Sequence, residues 1–421
     1  MHPSRPLHGL SIALAAAALM AITMGSRSSF GLFVAPLNAA TGLGLVTISF
    51  AVALNQLLWG VAQPFVGLIA DRHGSARVIA VGGLGLATGS ALLPFVGSAA
   101  ELVLALALLA FAGAAAGSNG LLLGEVSRRV SAERRGLAVG IVSAGGSAGQ
   151  LLLGPTSQGM ITAAGWQQAM LGLAALALLA LPLALMFRES AGRPALSAQE
   201  SASMPVRDAL TSPAFWLVTG GFFVCGFHVS FLISHMPGVI ADCGLPASLA
   251  GWWIAVVGLC NVIGSLLAGA AIRRGSMRRV LMVLYGLRAL GVATFLALPK
   301  TEWVMLGFAA WMGLTYMATL PPTVGLVGKL FGLRHMATLV GVVMLVHQIG
   351  AFLGVWLGGI VLTVTGSYDW MWHADIALAL LAVAIHLPLI ERPATQQSAP
   401  SSAPATPAAA AAAVLRPAGA G

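Results

Sequence analysis

Long apolar runs separated by short polar stretches are the main feature of this chain. A helix needs about 20 apolar residues to cross the hydrocarbon core of a bilayer. The chain contains twelve runs of about that length or more, which we number segments 1 to 12. They cover residues 10–36, 45–70, 78–97, 101–124, 136–163, 166–187, 213–236, 247–272, 279–299, 302–327, 337–364 and 370–390. The pattern predicts an all-α integral membrane protein with twelve transmembrane helices.

The composition agrees with a chain that lies mostly in lipid. Of its 421 residues, 58% are hydrophobic and only 8% are charged, whereas soluble domains contain roughly 25% charged residues. A net charge of +9 would suggest a nucleic-acid partner in a soluble protein, but here the positions of the charges matter more than their sum. Cys225, Cys243 and Cys260 show neither paired spacing nor a His-rich partner. The sequence therefore predicts no disulfide framework, metal site or cofactor.

The positions of the basic residues predict the topology. Of the 21 Lys and Arg residues, Arg27 and Arg288 lie inside segments, and Lys300 is the only one in an odd-numbered loop. The other 18 lie in the termini and the even-numbered loops, including "SRRVSAERRG" and "IRRGSMRRV". Loops rich in Lys and Arg stay in the cytoplasm. We therefore expect both termini to be cytoplasmic.

The longest internal polar stretch divides the chain into two halves. After a cytoplasmic N-terminus at 1–9, segments 1–6 occupy residues 10–187, a cytoplasmic loop follows at 188–212, and segments 7–12 occupy 213–390. The tail at 391–421 is rich in Ala, Pro, Ser and Gln, a composition that predicts disorder. The two halves also resemble each other, because a shift of 202 residues lays "GLIADRHGSARVI" over "GAAIRRGSMRRVL". Such an internal repeat is common in transporters, with the substrate site between the repeats.

The loop "GLIADRHGSAR" at 67–77 resembles the signature loop of the major facilitator superfamily, although Ser75 stands where the family has a basic residue. The resemblance covers residues 10–390 and includes the segment count, the division and the repeat. It implies that Asp71 meets the positive N-terminus of segment 11 and that Arg72 lies near the end of segment 4, closing the cytoplasmic side. Ordinary positive-inside charge is the alternative interpretation. The candidate gating residues are Gly67, Asp71, Arg72, Gly74, Arg77 and Glu125.

Three shorter stretches resemble one branch of that superfamily. They are "RSSFGLFVAPL" in segment 1, "DALTSPAFWLV" before and within segment 7 and "YGLRAL" in segment 9. They are similar to the monocarboxylate and oxalate–formate exchanger branch, which implies a small carboxylate as substrate.

Arg27 is the residue that most needs an explanation. An ionised side chain in the middle of a membrane helix costs at least about 2.5–3.5 kcal/mol. Asp and Glu are absent from the middle of every segment, and the nearest, Glu101 and Asp375, lie close to the outer ends of segments 4 and 12. Snorkelling from Arg27 covers only part of the distance to the surface. The remaining hypotheses are a substrate anion in a wet cavity and a network of neutral hydrogen-bond partners.

Other polar residues lie at similar depth, and buried polar groups are costly unless paired. They predict a central wet cavity, although each is also consistent with hydrogen bonding between helices. The resemblance places segments 3, 6, 9 and 12 at the periphery, so Arg288 of segment 9 would either reach inward past segment 8 or satisfy carbonyls at a helix break. The candidate substrate-binding residues are Arg27, Asn55, Gln56, His228, Asn261, Arg288, Tyr316, His347 and Gln348.

These observations predict a secondary transporter of small organic anions that works by alternating access. The chain has no GxxxxGK nucleotide loop, so the expected energy source is a gradient, used either with protons on His228 or His347 or by anion exchange. The alternative is proton-linked efflux of drug-like molecules, disfavoured because no acidic residue is predicted in the cavity. An enzyme is disfavoured because the histidines are scattered, with none near a paired carboxylate. The excess of Arg over Lys, 19 to 2, suggests a GC-rich bacterium, and we expect a monomer in the inner (plasma) membrane.

Overall fold

A computed structural model describes residues 6–130, 132–188, 204–332 and 335–391 of the chain. Every predicted segment is helical, and the described residues contain no strand. Segments 1–6 contain the helices Pro6–Ser29 and Gly31–Thr41, Leu45–His73, Ser75–Leu92, Ala99–Gly117 and Asn119–Arg129, Ala132–Ala164, and Trp166–Ala177 and Ala180–Ala184. Segments 7–12 contain Pro213–Asp242, Ser248–Arg274, Met277–Ala297, Glu302–Tyr316 and Leu320–Phe331, Met336–Thr365, and Asp369–His386.

Eleven of these segments are long and apolar enough to span a membrane, counted over the part of the chain that the structure describes. The helix Asp369–His386 of segment 12 is not among them, because Asp369, His373 and Asp375 lie in its first two turns and make it less apolar. It nevertheless packs within the bundle, against segments 7 and 9.

Segments 1, 4, 6 and 10 are each interrupted, and the breaks in segments 1 and 10 lie beside polar residues. Segment 1 breaks at Phe30, three residues after Arg27. Segment 10 breaks through a short 3-10 turn at Met317–Thr319, and its second helix begins with Leu320 followed by two prolines. Pro321 and Pro322 have no N–H to donate to the carbonyls one turn before them, and two such residues in a row favour a break at this point. The break changes the hydrogen bonding of the carbonyls just before it.

Small residues set the spacing of the helices. Gly145 and Gly149 of segment 5 lie against the backbone of Ala17 and Ala21 in segment 1. In the other half, Gly350 of segment 11 lies equally close to the backbone of segment 7. Lipid is as apolar as leucine, so close backbone approach is a main source of helix association in membranes. Segments 1 and 5, and segments 7 and 11, are therefore the tightest pairs within each half.

The two halves meet through segments 2 and 11 and through segments 5 and 8. Along the antiparallel pair 2 and 11, Ser49 contacts Gly359, Phe50 packs on Trp356 with ring centroids 5.6 Å apart, and Gly60 contacts Gln348. At Gly67, the first residue of the 67–77 loop, an added Cβ atom would meet nothing within 4 Å. The contacts named here between the halves run from Ser49 to Gly60 of segment 2.

Two of the predicted boundary segments are only partly described. Of the loop at 188–212, residues 189–203 lie outside the described residues, and Val206–Thr211 forms a short helix beside segment 7. Of the predicted tail, only Glu391 is described. Its carboxylate accepts hydrogen bonds from the Ser276 hydroxyl at 2.5 Å and from the Arg278 amide at 2.6 Å, and it pairs with Lys329 at 2.9 Å. Glu391 therefore belongs to the C-terminal half, one residue beyond the predicted boundary.

Candidate functional site

A cavity of about 1040 Å³ lies between the two halves, at the level where segments 1 and 10 are interrupted. Seven segments form its wall, namely 1, 2, 4, 5, 7, 10 and 11, all among those that the family resemblance placed around a central path. Its lining residues are Met24, Arg27, Ser28, Gln56, Trp59, Gln63, Asn119, Gln150, Phe222, Cys225, Val229, Ser230, Ile233, Tyr316, Met317, Thr319, Leu320, Met344, His347 and Gln348. We call it the central cavity.

Arg27 lies on the wall of this central cavity. Its Nε donates to Gln56 Oε1 at 2.7 Å, its Nη2 donates to the same oxygen, and its guanidinium lies 4.8 Å from the ring centroid of Trp59. Guanidinium carries five N–H donors, and Nη1 makes no hydrogen bond to any described residue. The partners of Arg27 are thus one amide oxygen and one aromatic face, with no carboxylate among them, so donors remain for an anion.

Arg27, Gln56 and Trp59 also line a second cavity, of about 750 Å³, inside the N-terminal half. It is lined by residues of segments 1, 2, 3, 4 and 6 and by Ser234 of segment 7. We call it the side cavity. Asn55 lies on its wall and not on that of the central cavity, and its amide donates to the Leu106 carbonyl at 2.6 Å. Asn55 thus ties segment 2 to segment 4.

A chain of amides connects four segments next to the central cavity. Gln150 of segment 5 donates to the Ser28 hydroxyl at 2.9 Å and accepts from the Asn261 amide at 3.1 Å. Asn261 in turn accepts from the Met317 backbone amide at 3.4 Å, at the break in segment 10. Of these four residues, the predicted binding residue Asn261 is the one that does not line the cavity. Asn261 therefore holds Gln150 in place from outside the lining of the cavity.

Tyr316, His347 and Gln348 do line the central cavity. His347 packs on Phe222 with ring centroids 4.6 Å apart. The Tyr316 hydroxyl and the Gln348 Oε1 atom are buried and have no hydrogen-bond partner in the described part of the chain. Sequence reasoning missed Cys225, whose Sγ lies 3.3 Å from Thr319 Oγ1 on the same wall. An isolated cysteine in an apolar helix carries no pattern that could have pointed to it.

Arg288 does not line the cavity and is fully buried behind it. Its Nη2 donates to the carbonyls of Thr315 at 2.6 Å and Tyr316 at 3.0 Å, the two residues just before the break in segment 10. The guanidinium also lies 5.1 Å from the Tyr285 ring and 5.4 Å from the Tyr316 ring. Of the two predicted alternatives, the structure gives Arg288 the carbonyls at a helix break.

His228 does not line the cavity either, and its position corrects two predictions. Its Nε2 lies 3.5 Å from Asp375 Oδ1, and both side chains are fully buried. Asp375 was expected close to the outer end of segment 12, and no histidine was expected near a paired carboxylate. Both expectations were wrong, because Asp375 lies beside His228, half-way along segment 7. The loop before segment 12 dips into the bundle, with Tyr368 Oη 3.1 Å from His235 Nδ1. Asp375 is seven residues after Tyr368 and His228 seven before His235, so the antiparallel helices bring them together.

The 67–77 loop joins segments 2 and 3 through Gly74, whose φ of +87° favours glycine. Directly after it, Ser75 donates a hydrogen bond to Glu125, which also pairs with Arg129 at 3.0 Å. The residue that replaces the family's usual basic side chain thus still contacts the end of segment 4. The gating roles of Gly67, Asp71, Arg72, Arg77 and Glu125 remain predictions.

Comparison with known proteins agrees with this architecture. The sequence profile of the Major Facilitator Superfamily matches residues 16–246 and 220–419. The chain belongs to the major facilitator superfamily. It is therefore a multi-pass membrane protein of a transporter family.

Its curated relatives are distant but extend over most of the chain. An MFS-type transporter of Bacillus subtilis is 26% identical over 387 residues, covering 88% of this chain and 92% of that one. Human monocarboxylate transporter 11 is 29% identical over 377 residues, covering 86% of this chain and 78% of that one. The oxalate:formate antiporter of Oxalobacter formigenes is 23% identical over 280 residues and covers 66% of each chain. These relatives agree with the predicted branch.

Solved structures share the fold at low sequence identity. A bacterial homologue of the human lysosomal transporter Spinster, inward-facing and occupied, superposes with a TM-score of 0.72 at 15% identity over 92% of this chain and 97% of that one. A D-xylose–proton symporter superposes with a TM-score of 0.71 at 15% identity over 92% of this chain and 98% of that one.

Proposed function

We propose that this protein is a secondary active transporter of small organic anions that works by alternating access between its two halves. The observation that carries the proposal is the position of Arg27, on the wall between the halves with unused N–H donors. Guanidinium binds carboxylates through two parallel hydrogen bonds. The lining of the two cavities contains no Asp or Glu, which favours an anion over a cation. The monocarboxylate and oxalate:formate transporters among the relatives support the same class.

The proposal includes the orientation of the chain in the membrane. It has twelve spans, with segment 12 crossing beside segments 7 and 9, and both termini on the cytoplasmic side of a bacterial inner membrane. The contacts of segments 2 and 11 would then lie on the outer side, with the cavity open toward the cytoplasm. The basic even-numbered loops support this orientation. A reporter fusion after Glu391, active only in the cytoplasm, tests it, and activity of a periplasmic reporter there would contradict it.

Substrate-induced thermal stabilisation tests the role of Arg27. Purified native protein and Arg27→Lys are melted with and without a panel of small carboxylates. A lysine keeps the charge but not the planar fork, so we expect at least about tenfold weaker binding, a loss of about 1.4 kcal/mol. The matched control is Arg274→Lys, an exposed arginine at the end of segment 8.

Three outcomes separate the interpretations. Loss of ligand stabilisation in Arg27→Lys alone, with neutral amide analogues inactive on the native protein, supports the proposal. Equal stabilisation of native and Arg27→Lys protein overturns the carboxylate role. An Arg27→Lys protein that no longer folds without ligand would make Arg27 a structural residue.

His347 is the proposed proton carrier, because an imidazole can gain and release a proton and this one lines the central cavity. Transport is measured in liposomes, both as exchange at equal pH and as uptake driven by an inward proton gradient. His347→Gln should keep exchange and lose driven uptake. Loss of both modes would make it a binding or structural residue, and normal driven uptake would remove it from the mechanism.

The 67–77 loop is proposed to close the cytoplasmic side through Asp71. Asp71→Asn should slow transport while leaving substrate affinity within a few-fold, because the loop does not line either cavity. Distances between spin labels at the cytoplasmic ends of segments 2 and 11 should lengthen on average. Unchanged distances with full transport would leave the loop only a topogenic role.

A further inference from the structure

The side cavity is a feature that a transporter for two-carbon acids would not need. Its walls include Leu86 and Leu93 of segment 3, Leu106 and Leu109 of segment 4, and Met170 and Leu173 of segment 6. Segments 3 and 6 were expected only at the periphery, yet here they enclose space in the centre of the N-terminal half. These six apolar side chains share the wall with polar residues such as Thr23, Asn55 and Ser90, so the side cavity offers a ligand both an apolar surface and hydrogen-bonding groups.

The side cavity is joined to the central cavity through Arg27, Gln56 and Trp59, which line both. An anion bound to the guanidinium can therefore extend its remaining atoms into the N-terminal half. The Trp59 ring beside Arg27 and the leucines beyond it offer this part of a ligand an apolar surface. Apolar atoms placed against these leucines would gain van der Waals contacts with them, which favours binding of a ligand with an apolar body.

The charges on the walls limit the number of carboxylates that a ligand can present. Arg27 is the only guanidinium or ammonium group on either wall, counted over the described residues. Arg288 is covered by Tyr316 and has its Nη2 on backbone carbonyls. A second carboxylate on the ligand would therefore have no guanidinium or ammonium partner and would depend on a proton on His347, so a dicarboxylate should bind more weakly.

We propose that the side cavity is a substrate subsite that receives the apolar body of an amphipathic monocarboxylate while its carboxylate binds Arg27. This inference rests on the proposed function, since it uses the same Arg27 contact. The body that fits is a short alkyl chain or a single aromatic ring, as in hexanoate or phenylacetate. Each buried methylene should strengthen binding about fourfold. Affinity should rise more than tenfold from acetate to hexanoate.

The test measures dissociation constants of acetate, butyrate, hexanoate, phenylacetate, hexanamide and succinate on the purified full-length protein. Leu106→Phe adds bulk at a buried wall position of segment 4, and Ser90→Leu does so from segment 3. The matched control is Leu104→Phe, which has the same chemistry on the same helix at a side chain that is 70% exposed on the bundle surface.

The proposal expects hexanoate and phenylacetate to bind more than tenfold tighter than acetate, with succinate and hexanamide weak. The ratio of hexanoate to acetate affinity should fall at least tenfold in Leu106→Phe or, if that variant does not fold, in Ser90→Leu, and stay unchanged in Leu104→Phe. Acetate binding that depends on Arg27, without a gain for hexanoate, would overturn the subsite and leave the proposed function standing. Hexanamide as tight as hexanoate would overturn the link to Arg27. Failure of every carboxylate to bind would overturn both proposals.

Discussion

Arg27 and Arg288 have the same sequence context and different structural roles. Each interrupts a long apolar run, and each carries the same insertion cost. Arg288 is fully buried and makes hydrogen bonds to two carbonyls at the break in segment 10. Arg27 lies on the wall of two cavities and makes hydrogen bonds to a single amide oxygen. The difference indicates that a membrane arginine buried among carbonyls and aromatic rings at a helix break stabilises the fold, whereas one that faces a cavity can bind a ligand.

The largest loss of stability should come from the substitution Arg288→Met. It removes the donors of the Thr315 and Tyr316 carbonyls, and charged hydrogen bonds contribute about 1.5–3 kcal/mol each. We expect the free energy of unfolding to fall by about 3–5 kcal/mol, seen as a much lower melting temperature or loss of folded protein. Arg274→Met, at an exposed site, should melt like the native protein. A native melting temperature for Arg288→Met would remove the distinction between the two arginines.

The next largest loss of stability is expected for the buried pair of His228 and Asp375. Asp375→Asn or His228→Gln leaves a buried partner without its counterpart, which costs about 1–3 kcal/mol. A double-mutant cycle should give a coupling energy above about 0.5 kcal/mol, as expected for side chains in contact. Asp369→Asn, an exposed change in the same segment, is the control. Additive effects would mean that His228 and Asp375 are neighbours without a stabilising interaction.

Arg27→Met should destabilise the protein far less than Arg288→Met. Its partner Gln56 can bind water in the cavity, and what is lost is one shared hydrogen bond and a cation–π contact worth roughly 0.5–2 kcal/mol. We expect a decrease of about 1 kcal/mol in the free energy of unfolding, with ligand stabilisation abolished. A decrease as large as that of Arg288→Met would show that both arginines are structural.

Glu391, outside the membrane segments, should give the smallest loss of stability among these substitutions. Burial raises its pKa, but hydrogen bonds from Ser276, Lys329 and the Arg278 amide outweigh burial and hold the pKa below its usual value. Its folded pKa lies below its unfolded value of about 4.3, so its contribution is present above that pH and is lost as the pH falls through the folded pKa.

Because Glu391 is not fully buried and its partner Lys329 is 39% exposed, this contribution should stay below about 1 kcal/mol. The melting-temperature difference between native protein and Glu391→Gln should shrink as the pH falls below about 4.3. Glu302→Gln, an exposed carboxylate at the start of segment 10, is the control. A difference that grows toward acid would contradict the assignment.

The sequence by itself determined the helical segments, the division into halves and the presence of polar groups at membrane depth. Apolar runs of about 20 residues have few alternatives to helices in a bilayer, because every backbone group must be satisfied internally. Asn55 and Gln56 could be named as candidates because polar groups at membrane depth are costly unless paired. Arg27 was singled out for the same reason, since the free-energy cost of placing an ionised side chain in a membrane helix is known without a structure.

Only the tertiary structure decided which partner each polar group meets. Both faces of a membrane helix are apolar, because lipid and neighbouring helices are alike in polarity, so periodicity does not indicate which neighbour a face contacts. The depth of a residue also depends on where its loop enters the bundle. The loop before segment 12 is buried at Tyr368, so segment 12 begins deeper in the bundle and Asp375 lies beside His228. The break in segment 10 supplies carbonyls to Arg288, and Gln56 supplies one amide oxygen to Arg27. These partners are 27 and 29 residues away in the chain, so the local sequence pattern could not identify them.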